Sequence, residues 1–387
     1  DGRQIKLMFA AGLMEPEFYF CYSEDTEVLT GRGWLRHVDM TDDDVVLAYD
    51  PVSRLAGWRK PTARHAFRYV GDMVHVQQLR LDMLVTPNHK MWVREARDGH
   101  WRTSGKTTPE YMQLQALDLF DGRQRHCLAA VQSEDCADTE KFTVSGLTDG
   151  RGVIRKDCTV PFDNWLKFLA WVITDGFVAS RNGTDKRYRI GIGQKGRHVA
   201  RIDALLSGLP WNAVRTGNAS WGGVNWEIND QPLHAWLTAN IGIGARNKRL
   251  PAFVWGLSQR QSRLFLDELF MGDGYVSVKR LGKWAYGTYG TVSPSLAADV
   301  QGLALHCGFA AQMGWNGALW MVYLTGHEEP CIKKNHVYLI PYAGNVYCLT
   351  VPGGYYMTRR NGRMAVQGNS DGANANLASS TSQSYPP

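Results

Sequence analysis

The sequence has no pair of cysteines in a Cys-x-x-Cys arrangement, and its seven cysteines are odd in number. A zinc cluster or a complete disulfide framework would need paired cysteines at regular spacings, so the sequence favours neither and indicates a reducing, cytoplasmic setting. It also lacks an apolar run of about 20 residues, the length of a membrane-spanning helix, so we expect no membrane partner. The chain starts without Met and without the basic and apolar segments of a signal peptide, and we expect it to be a piece of a longer product.

The 387 residues are more than one ordinary hydrophobic core holds, so two or three domains are expected. Apolar residues make up 44% and charged residues 21% of the sequence, which is typical of a globular protein. The net charge of +6 is unevenly spread, because bases dominate residues 181–201, where Asp185 is the one acid. A basic segment of this kind predicts a nucleic-acid surface, with an ordinary solvated face as the alternative.

Short apolar runs separated by Gly and Asp turns dominate the sequence after Cys21. They recur about eight to twelve residues apart, which is typical of an all-β domain. The predicted strands are Thr26–Thr30, Trp34–Val38, Val45–Tyr49, Thr62–Tyr69, Met73–Leu79 and Met83–Thr86. Farther on, we predict a helix at Pro109–Leu117 and strands near Lys141–Ser145 and Gly152–Val160. Residues 94–157 either complete this β domain or form an added module that contacts DNA.

From Pro161 the sequence changes to an α/β pattern that occurs twice. Each half has a helix that ends in Asp-Gly, then a strand, then an amphipathic helix. The first half comprises Trp165–Thr174 before Asp175-Gly176, Lys186–Gln194 and His198–Leu206; the second comprises Gln261–Met271 before Asp273-Gly274, Ala285–Thr291 and Pro294–Gly308. Two copies predict a two-fold internal repeat rather than a solenoid.

Reactive side chains cluster toward the two ends of the sequence. A cysteine opens residues 21–28, CYSEDTEV, and a histidine follows a strand and a proline turn in residues 81–93, LDMLVTPNHKMWV. Residues 345–352, NVYCLTVP, precede an asparagine and a hydroxyl residue in residues 366–370, VQGNS. These four segments resemble the splicing blocks of inteins, the self-excising domains built on the Hint fold.

The resemblance to inteins implies a first acyl transfer at the beginning of the segment. Cys21 would attack the Phe20 carbonyl and form a thioester, because a side chain that takes over the acyl group breaks a peptide bond without external energy. His89 would donate a proton to the leaving amide nitrogen, with assistance from Thr86.

It also implies a second stage at the other end. Ser370 would attack the thioester, Asn369 would cyclise through its side-chain amide, and Phe20 would end up joined to Ser370. No cofactor is expected for splicing, and the partner is the host protein, or extein, in cis.

Two positions depart from the intein pattern. Cys348 stands where many inteins have an aspartate, and it would relay protons, tune Cys21 or simply fill the core. Gly368 stands where most have a histidine that assists Asn369, and His336 is one substitute for that histidine.

The repeated helix ends, FLAWVITDG at residues 168–176 and LDELFMGDG at residues 266–274, resemble the LAGLIDADG motif of homing endonucleases. The resemblance implies two motif helices side by side, with Asp175 and Asp273 brought together as ligands for Mg²⁺. It further implies bases near the cleavage centre, for which Lys195 and Lys248 are the candidates.

Double-stranded DNA would lie on the strands of this repeat. Bases there would contact phosphates or base edges, although the strand face that meets the DNA cannot be read from the sequence. The predicted DNA-binding residues are Arg187, Arg189, Gln194, Arg197, Arg246, Arg249, Lys279, Arg280 and Lys283.

The fold class expected is an all-β, horseshoe-like Hint splicing domain plus an α/β LAGLIDADG endonuclease domain with two pseudo-symmetric αββαββα-type repeats. The predicted divisions are 1–20 (N-extein remnant), 21–157 and 334–369 (splicing domain), 158–333 (endonuclease) and 370–387 (C-extein remnant). The expected function is self-splicing combined with site-specific DNA cleavage by a monomer in a bacterial or phage-infected cell. The alternatives are a LAGLIDADG domain that only binds DNA, a Hint domain that cleaves without ligating, and a structural phage protein with an α/β insertion.

Overall fold

A computed structural model describes residues 20–96, 110–148, 152, 154–179, 187–218, 222–277, 286–325 and 329–368. The chain divides into two compact units. The first unit contains the described residues up to Glu134, residues 308–312 and the described residues from Thr325 onward. The second contains residues 135–307 and 313–324. None of the helices within the described ranges is long and apolar enough to cross a membrane.

Short, closely spaced strands dominate the secondary structure. The described strands are β1 (Tyr22–Ser23), β2 (Glu27–Thr30), β3 (Gly33–Arg36), β4 (Val46–Asp50), β5 (Leu55–Arg59), β6 (Ala63–Gln78), β7 (Leu81–Val85), β8 (Lys90–Glu95), β9 (Met112–Gln115), β10 (Arg125–Cys127), β11 (Gln132–Ser133), β12 (Lys141–Val144), β13 (Cys158–Pro161), β14 (Gly176–Val178), β15 (Arg189–Gln194), β16 (Ala213–Asn218), β17 (Gly223–Asn229), β18 (Gly274–Ser277), β19 (Tyr286–Thr291), β20 (Ala310–Trp315), β21 (Trp320–Thr325), β22 (Cys331–Ile332), β23 (Val337–Thr350), β24 (Tyr355–Arg360) and β25 (Arg363–Gly368).

The described helices are of two kinds. The α-helices are α1 (Phe162–Thr174), α2 (Val199–Ser207), α3 (Gln231–Ile241), α4 (Gln259–Asp273) and α5 (Pro294–His306). Short 3-10 helices span His37–Asp39, Ala116–Asp121, Gly196–His198, Ala245–Asn247, Ala252–Gly256 and Lys334–His336.

The first unit is built around a closed barrel of β1, β23, β6 and β7. Strands β6 and β23 pair antiparallel without a break from Ala63↔Thr350 to Val76↔Val337. The prediction of two strands, Thr62–Tyr69 and Met73–Leu79, was therefore wrong, because the ladder continues through Gly71 and a break there would leave backbone groups unpaired.

The hairpin β24–β25 brings the chain back into this unit. Its turn contains Asn361 at φ 47° and Gly362 at φ 72°, the Asn-Gly pair that a tight two-residue hairpin prefers. The last described strand, β25, pairs through Gln367 with Met91 of β8. The end of β25 at Gly368 therefore lies beside the beginning of β8, the strand that follows His89.

The predicted helix Pro109–Leu117 was wrong over its described part. Met112–Gln115 forms strand β9, which pairs with β8 from Lys90↔Gln115 to Val93↔Met112. Tertiary pairing with the open edge of β8 outweighs local propensity here. The short helix Ala116–Asp121 follows and ends at Gly122 in the left-handed conformation.

The second unit contains the two predicted halves, apart from the beginning of β20 at residues 310–312, which belongs to the first unit. The first half runs α1-β14-β15-α2-β16-β17-α3, and its sheet has the order β14-β15-β17-β16. The second runs α4-β18-β19-α5-β20-β21, and its strands follow the matching order β18-β19-β21-β20. The predicted αββαββα pattern is thus found in full in the first half, whereas the described residues of the second half end after αββαββ.

Capping residues explain where three of these helices begin. Asp230, Ser258 and Ser293 each accept a hydrogen bond from a backbone N–H in the first turn of α3, α4 and α5. A short polar side chain at this position satisfies an N–H group that the helix leaves unpaired.

The division between the units differs from the predicted boundary at residue 157. Strand β12 pairs with β13, from Lys141↔Pro161 to Val144↔Cys158, and Phe142 stacks on Trp165 at 4.5 Å. This pairing ties strand β12 to the segment that leads into α1, while residues 110–134 belong to the first unit. The described residues of the segment 94–157 are thus divided between the two units, and its role as an added DNA-contacting module stays a prediction.

Candidate functional sites

The first candidate site surrounds Cys21, whose side chain is 0% exposed in the core of the first unit. Tyr22 pairs with Tyr347 of β23 and with Val85 of β7, which fixes Cys21 next to the end of β7. The Cys21 N–H donates to Thr86 Oγ1 at 3.1 Å, and the Thr86 N–H donates to the Cys21 carbonyl at 2.9 Å. The amide that joins Phe20 to Cys21 is thus fixed by the Thr86 hydroxyl.

A second thiol adjoins the first. Cys348 lies in β23 with 0% exposure, and its Sγ is 3.4 Å from Cys21 Sγ. Burial, and then the hydrogen bond and charge of Cys348, raise the pKa of the Cys21 thiol well above its ordinary value. Cys21 is therefore in the thiol form at neutral pH.

The His89 imidazole completes this group and is itself 0% exposed. The turn Thr86–His89 positions it, since the His89 N–H donates to the Thr86 carbonyl at 2.9 Å. Burial lowers the pKa of His89 to about 4, while the Phe20 carbonyl and the Gln367 side chain act in the opposite direction. At pH 7 the ring is neutral, and neither ring nitrogen has a hydrogen bond of good geometry within the described residues.

Lys90 lies next to the residues that precede the two predicted junctions, Phe20 before Cys21 and Gly368 before Asn369. Its Nζ lies 4.9 Å from the centre of the Phe20 ring. A Cβ added at Gly368 would lie 2.6 Å from Lys90 Cβ and 2.6 Å from the Lys90 carbonyl oxygen. Residue 368 therefore has no room for the histidine of the usual intein pattern, and no sequence signal pointed to Lys90.

The remaining predicted residues of this reaction are Asn369, Ser370 and the suggested substitute His336. Asn369 and Ser370 lie outside the described residues. His336, the suggested substitute histidine, caps the short helix Lys334–His336, where its Nδ1 accepts from the Lys333 N–H at 3.2 Å. That local hydrogen bond accounts for His336 without a role at Asn369.

The second candidate site lies at the ends of helices α1 and α4 in the second unit. The helices meet so closely that a Cβ added at Gly272 would lie 2.2 Å from Thr174 Oγ1. Glycines also follow both acids for steric reasons: a Cβ at Gly176 would be 2.7 Å from Val172 Cα, and one at Gly274 would be 2.6 Å from Phe270 Cα. The contact at Gly272 brings the ends that carry Asp175 and Asp273 together.

The two carboxyl groups have raised pKa values. Partial burial is the main cause at Asp175, where Thr174 Oγ1 and Gln194 Nε2 donate to Oδ2 at 3.3 and 3.1 Å and oppose the shift. Partial desolvation first, and the charge of Asp175 second, raise the pKa of Asp273 to about 6. Asp273 still presents an exposed surface, so solvent screens part of this repulsion.

Lys248 places its ammonium group beside both acids. Its Nζ donates to the carbonyls of Ile173 at 2.5 Å and Gly176 at 2.9 Å, where the C-terminal end of α1 carries partial negative charge. Burial lowers its pKa, and the charges of Asp273 and Asp175 oppose that shift.

Lys195, the other predicted base, is exposed and does not join this group. Its backbone N–H donates to Gln194 Oε1 at 2.8 Å, which turns the Gln194 amide nitrogen toward Asp175. The structure thus brings Gln194 and Lys248 to the acids and leaves the Lys195 side chain in solvent.

The donors at this second site fit a divalent cation. Within the described ranges, no group of three or more His, Cys, Asp or Glu side chains could hold a metal ion. The carboxylates at this site are the pair Asp175 and Asp273, and the charge of Asp175 acts on Asp273. Mg²⁺ is commonly held by one or two carboxylates, water and substrate phosphates. The neighbouring carboxylates and the raised pKa of Asp273, which a cation would lower again, suit that arrangement.

The predicted DNA-binding residues separate into groups. In β15, Ile190 and Ile192 are 1% and 2% exposed, so the opposite face, which carries Arg189, points outward. Arg187 and Arg189 both approach Glu227, at 3.7 and 3.0 Å, on that outward face.

The remaining predicted bases have different surroundings. Arg197 and Arg246 are exposed, whereas Arg249 donates to the carbonyls of Ala239 and Asn240 at 2.7 and 3.2 Å and so caps the end of α3. Lys279, Arg280 and Lys283 lie outside the described residues.

The sequence patterns did not single out two residues that lie near Asp175 and Asp273. His198 packs its ring 5.4 Å from Trp171, and its charge acts on Asp175. Tyr289 is 0% exposed, and both acids act on its hydroxyl. Neither residue belongs to a motif, although His198 lies within the basic segment 181–201 and Tyr289 belongs to the repeated strand.

Comparison with known proteins identifies part of the second unit. Residues 260–314 match the family described as the LAGLIDADG-like domain. The ATP-dependent Clp protease proteolytic subunit of Chlamydomonas moewusii is 28% identical over 318 residues, covering 79% of this chain and 29% of that protein. The ATP-dependent DNA helicase Hel308 of Thermococcus kodakarensis is 40% identical over 320 residues, covering 76% of this chain and 28% of that protein. A solved structure of variants of the homing endonuclease I-DmoI is 11% identical, with a TM-score of 0.34, and covers 43% of this chain and 89% of that one. The chain spans less than a third of the length of these two curated relatives.

Proposed function

We propose that the chain is a self-splicing element of the intein type that carries a site-specific DNA endonuclease. Residues 21–369 would excise themselves and join Phe20 to Ser370, and the second unit would cut double-stranded DNA in a metal-dependent reaction. The observation that carries the splicing proposal is that Phe20 and Gly368, the residues before Cys21 and Asn369, both contact Lys90. A joining reaction needs both junctions within reach of one another.

The residues around Cys21 suit the first acyl transfer. The Cys21 sulfur attacks the Phe20 carbonyl carbon, the carbon–nitrogen bond breaks, and the thiol proton ends on the freed Cys21 nitrogen. Neutral His89 can accept that proton and return it to the nitrogen, and its position beside the Phe20 carbonyl also suits stabilisation of the oxyanion. The Thr86 hydroxyl accepts a hydrogen bond from the N–H of this amide and so fixes its position.

The second stage follows from the chemistry of residues 369 and 370. The Ser370 hydroxyl attacks the thioester carbonyl, which releases the Cys21 thiol and forms an ester. The Asn369 side-chain nitrogen then attacks its own backbone carbonyl and releases residues 21–369 with a cyclic imide end. A final shift of the acyl group from the Ser370 oxygen to its nitrogen leaves a peptide bond. No other reactant is consumed.

The comparisons support a segment that is carried by different hosts. Stretches of 318 and 320 residues match a protease subunit and a DNA helicase, two proteins whose names describe unrelated activities. Each match covers most of this chain and less than a third of the relative. One inserted element within different proteins accounts for that pattern.

Intact mass after expression of the full chain tests the splicing proposal. We expect one product of residues 21–369 and one of residues 1–20 joined to 370–387. Asn369→Ala should leave branched or N-terminally cleaved species, and Cys21→Ala should abolish the joined product, because no thioester forms. Separate, unjoined flanks would identify a Hint domain that cleaves without ligating, and spliced product from Asn369→Ala would overturn the assignment of Asn369.

The endonuclease proposal is carried by the pairing of Asp175 and Asp273 at the ends of two neighbouring helices in a repeated framework. A divalent cation held by these carboxylates would polarise the scissile phosphate and activate water. Gln194 orients Asp175, and Lys248 places positive charge where the phosphate charge increases in the transition state. The outward faces of the strands that follow the acids would receive the DNA.

A plasmid that carries the uninterrupted host coding sequence tests this second activity. Cleavage with Mg²⁺ is expected from the natural chain, and Asp175→Asn or Asp273→Asn should reduce it by at least about 100-fold. The matched control is Glu140→Gln, at an exposed acid of the same unit. Retention of the plasmid in a gel-shift experiment without any nicking would mean that the unit only binds DNA.

A further inference from the structure

Tyr289 lies in the interior of the second unit with an unused hydroxyl group. Its side chain is 0% exposed, and its oxygen has no hydrogen-bond partner among the described residues. Buried hydroxyl groups are nearly always hydrogen-bonded, because an unpaired one loses its interaction with water and gains nothing in return. An exception of this kind requires an explanation from the surroundings.

The surroundings of Tyr289 are the second candidate site. Tyr289 pairs with Gly274, the residue after Asp273, across strands β19 and β18. Its ring packs 5.6 Å from Phe270, in the last turn of helix α4 before Asp273. The hydroxyl is therefore held under the helix end that carries the acid.

Electrostatic effects connect the hydroxyl with both carboxylates. Burial first, then the negative charges of Asp273 and Asp175, raise the pKa of Tyr289 well above its ordinary value. The phenol consequently keeps its proton across the neutral pH range and can act only as a neutral donor or acceptor.

The first half of the repeat has an apolar residue, Ile192, at the position that corresponds to Tyr289. Ile192 pairs with Gly176 just as Tyr289 pairs with Gly274, and Ile192 is apolar and 2% exposed. In that half the polar group comes two residues later, where Gln194 donates to Asp175. In the second half that later position is Thr291, whose hydroxyl accepts from the Ser293 N–H. Among the described residues of the second half, Tyr289 is therefore a buried polar side chain on which both acids act.

We propose that Tyr289 is a positioning residue of the second site, whose hydroxyl donates a hydrogen bond to an oxygen in the ligand shell of a divalent cation held by Asp175 and Asp273. The role rests on the proposed endonuclease function. It explains why an unpartnered hydroxyl is retained in the core, since its partner arrives only with the cation and its water.

The test is the binding of Mn²⁺ alone to the full chain. Binding is measured as the loss of the electron paramagnetic resonance signal of free Mn²⁺. A background of Cys21→Ala combined with Asn369→Ala keeps the chain uncut, because neither the thioester nor the cyclic imide can form. Tyr289→Phe should weaken Mn²⁺ binding by about tenfold, as loss of an outer-shell hydrogen bond does at other metal sites. Phenylalanine fills the same space, so thermal stability in EDTA should be unchanged or higher.

The matched control is Tyr275→Phe, at a tyrosine of the same unit that is 68% exposed. It should bind Mn²⁺ like the parent chain. Equal Mn²⁺ affinity for Tyr289→Phe and the parent, with weaker binding by Asp273→Asn, would overturn the role of Tyr289 and leave the metal site intact. Absence of binding by the parent itself would overturn the metal site and the role of Tyr289 together.

Discussion

Gly368 packs against Lys90 so tightly that a Cβ at position 368 would lie 2.6 Å from both Lys90 Cβ and the Lys90 carbonyl oxygen. One of those atoms belongs to the backbone of β8 and cannot move without disturbing the sheet. Restoring the usual histidine by Gly368→His should therefore abolish splicing rather than accelerate it. The check is the amount of joined product on a denaturing gel.

Gly314→His provides the control for this substitution. A Cβ at Gly314 meets no atom within 4 Å, so the same change should leave splicing unaffected. Faster release of residues 21–369 from Gly368→His would contradict the packing argument.

Gly272 sets the spacing of helices α1 and α4. Gly272→Ala should lower the free energy of unfolding by about 1–3 kcal/mol, the usual effect of overpacking, because its Cβ would overlap Thr174. Urea denaturation measures the change, and Gly256→Ala, at an open position, is the control. Thr174→Gly combined with Gly272→Ala should recover part of the loss; no recovery would mean that another contact is responsible.

The Cys21–Cys348 pair predicts a pH dependence for the first acyl transfer. The pKa of Cys21 is raised above its ordinary value, so the thiolate fraction increases about tenfold per pH unit through the neutral range. N-terminal cleavage by an added thiol should accelerate accordingly from pH 7 to pH 9.

Cys348→Ala removes the hydrogen bond and the charge that help to raise the pKa of Cys21. The rate at pH 7 should then increase several-fold, roughly as the thiolate fraction does, while burial keeps the slope with pH. Cys127→Ala, which removes another buried thiol from the same unit, should leave the profile unchanged. A slower reaction in Cys348→Ala would instead assign Cys348 a direct part in proton transfer.

Lys248 and Lys195 should respond differently to loss of charge. Lys248→Met removes hydrogen bonds to the end of α1 and the positive charge between the acids, so both DNA cleavage and the melting temperature should decrease. Lys195→Met changes an exposed side chain and should leave the melting temperature within about 1 °C, as most surface changes do. Calorimetry and plasmid cleavage separate the two effects, and equal melting temperatures would contradict the structural role of Lys248.

Asp273 predicts how stability depends on pH in the absence of metal. Its folded-state pKa is about 6, above the ordinary value of 3.8, so the ionised form destabilises the fold above pH 6 and this cost disappears as the pH falls toward 4. Asp273→Asn in EDTA should therefore raise the free energy of unfolding at pH 7.5 by about 1 kcal/mol, after allowance for solvent screening, and by much less at pH 4.5. A gain that is equal at both pH values would exclude the ionisation of the partly buried Asp273 as the cause.

The repeated Asp-Gly motifs determined much of the second unit in advance. Helix periodicity and the glycine after each acid depend on residues close together in the chain, so α1, α4 and the strands β15 and β19 could be predicted. The same holds for the strands around Val46–Asp50 and Leu81–Val85. These elements could be predicted because their hydrophobic spacing lies within a few consecutive residues.

The tertiary structure alone decided the rest. The outward face of β15 depends on which side Ile190 and Ile192 bury, and the strand alternation by itself allows either. The assignment of residues 135–157 depends on pairing between β12 and β13, and the selection of Lys248 over Lys195 depends on the approach of a distant loop to the end of α1. The sequence by itself determined which reactive residues are present, whereas long-range packing decided which of them meet, because a contact between residues far apart in the chain leaves no periodic signal in either segment.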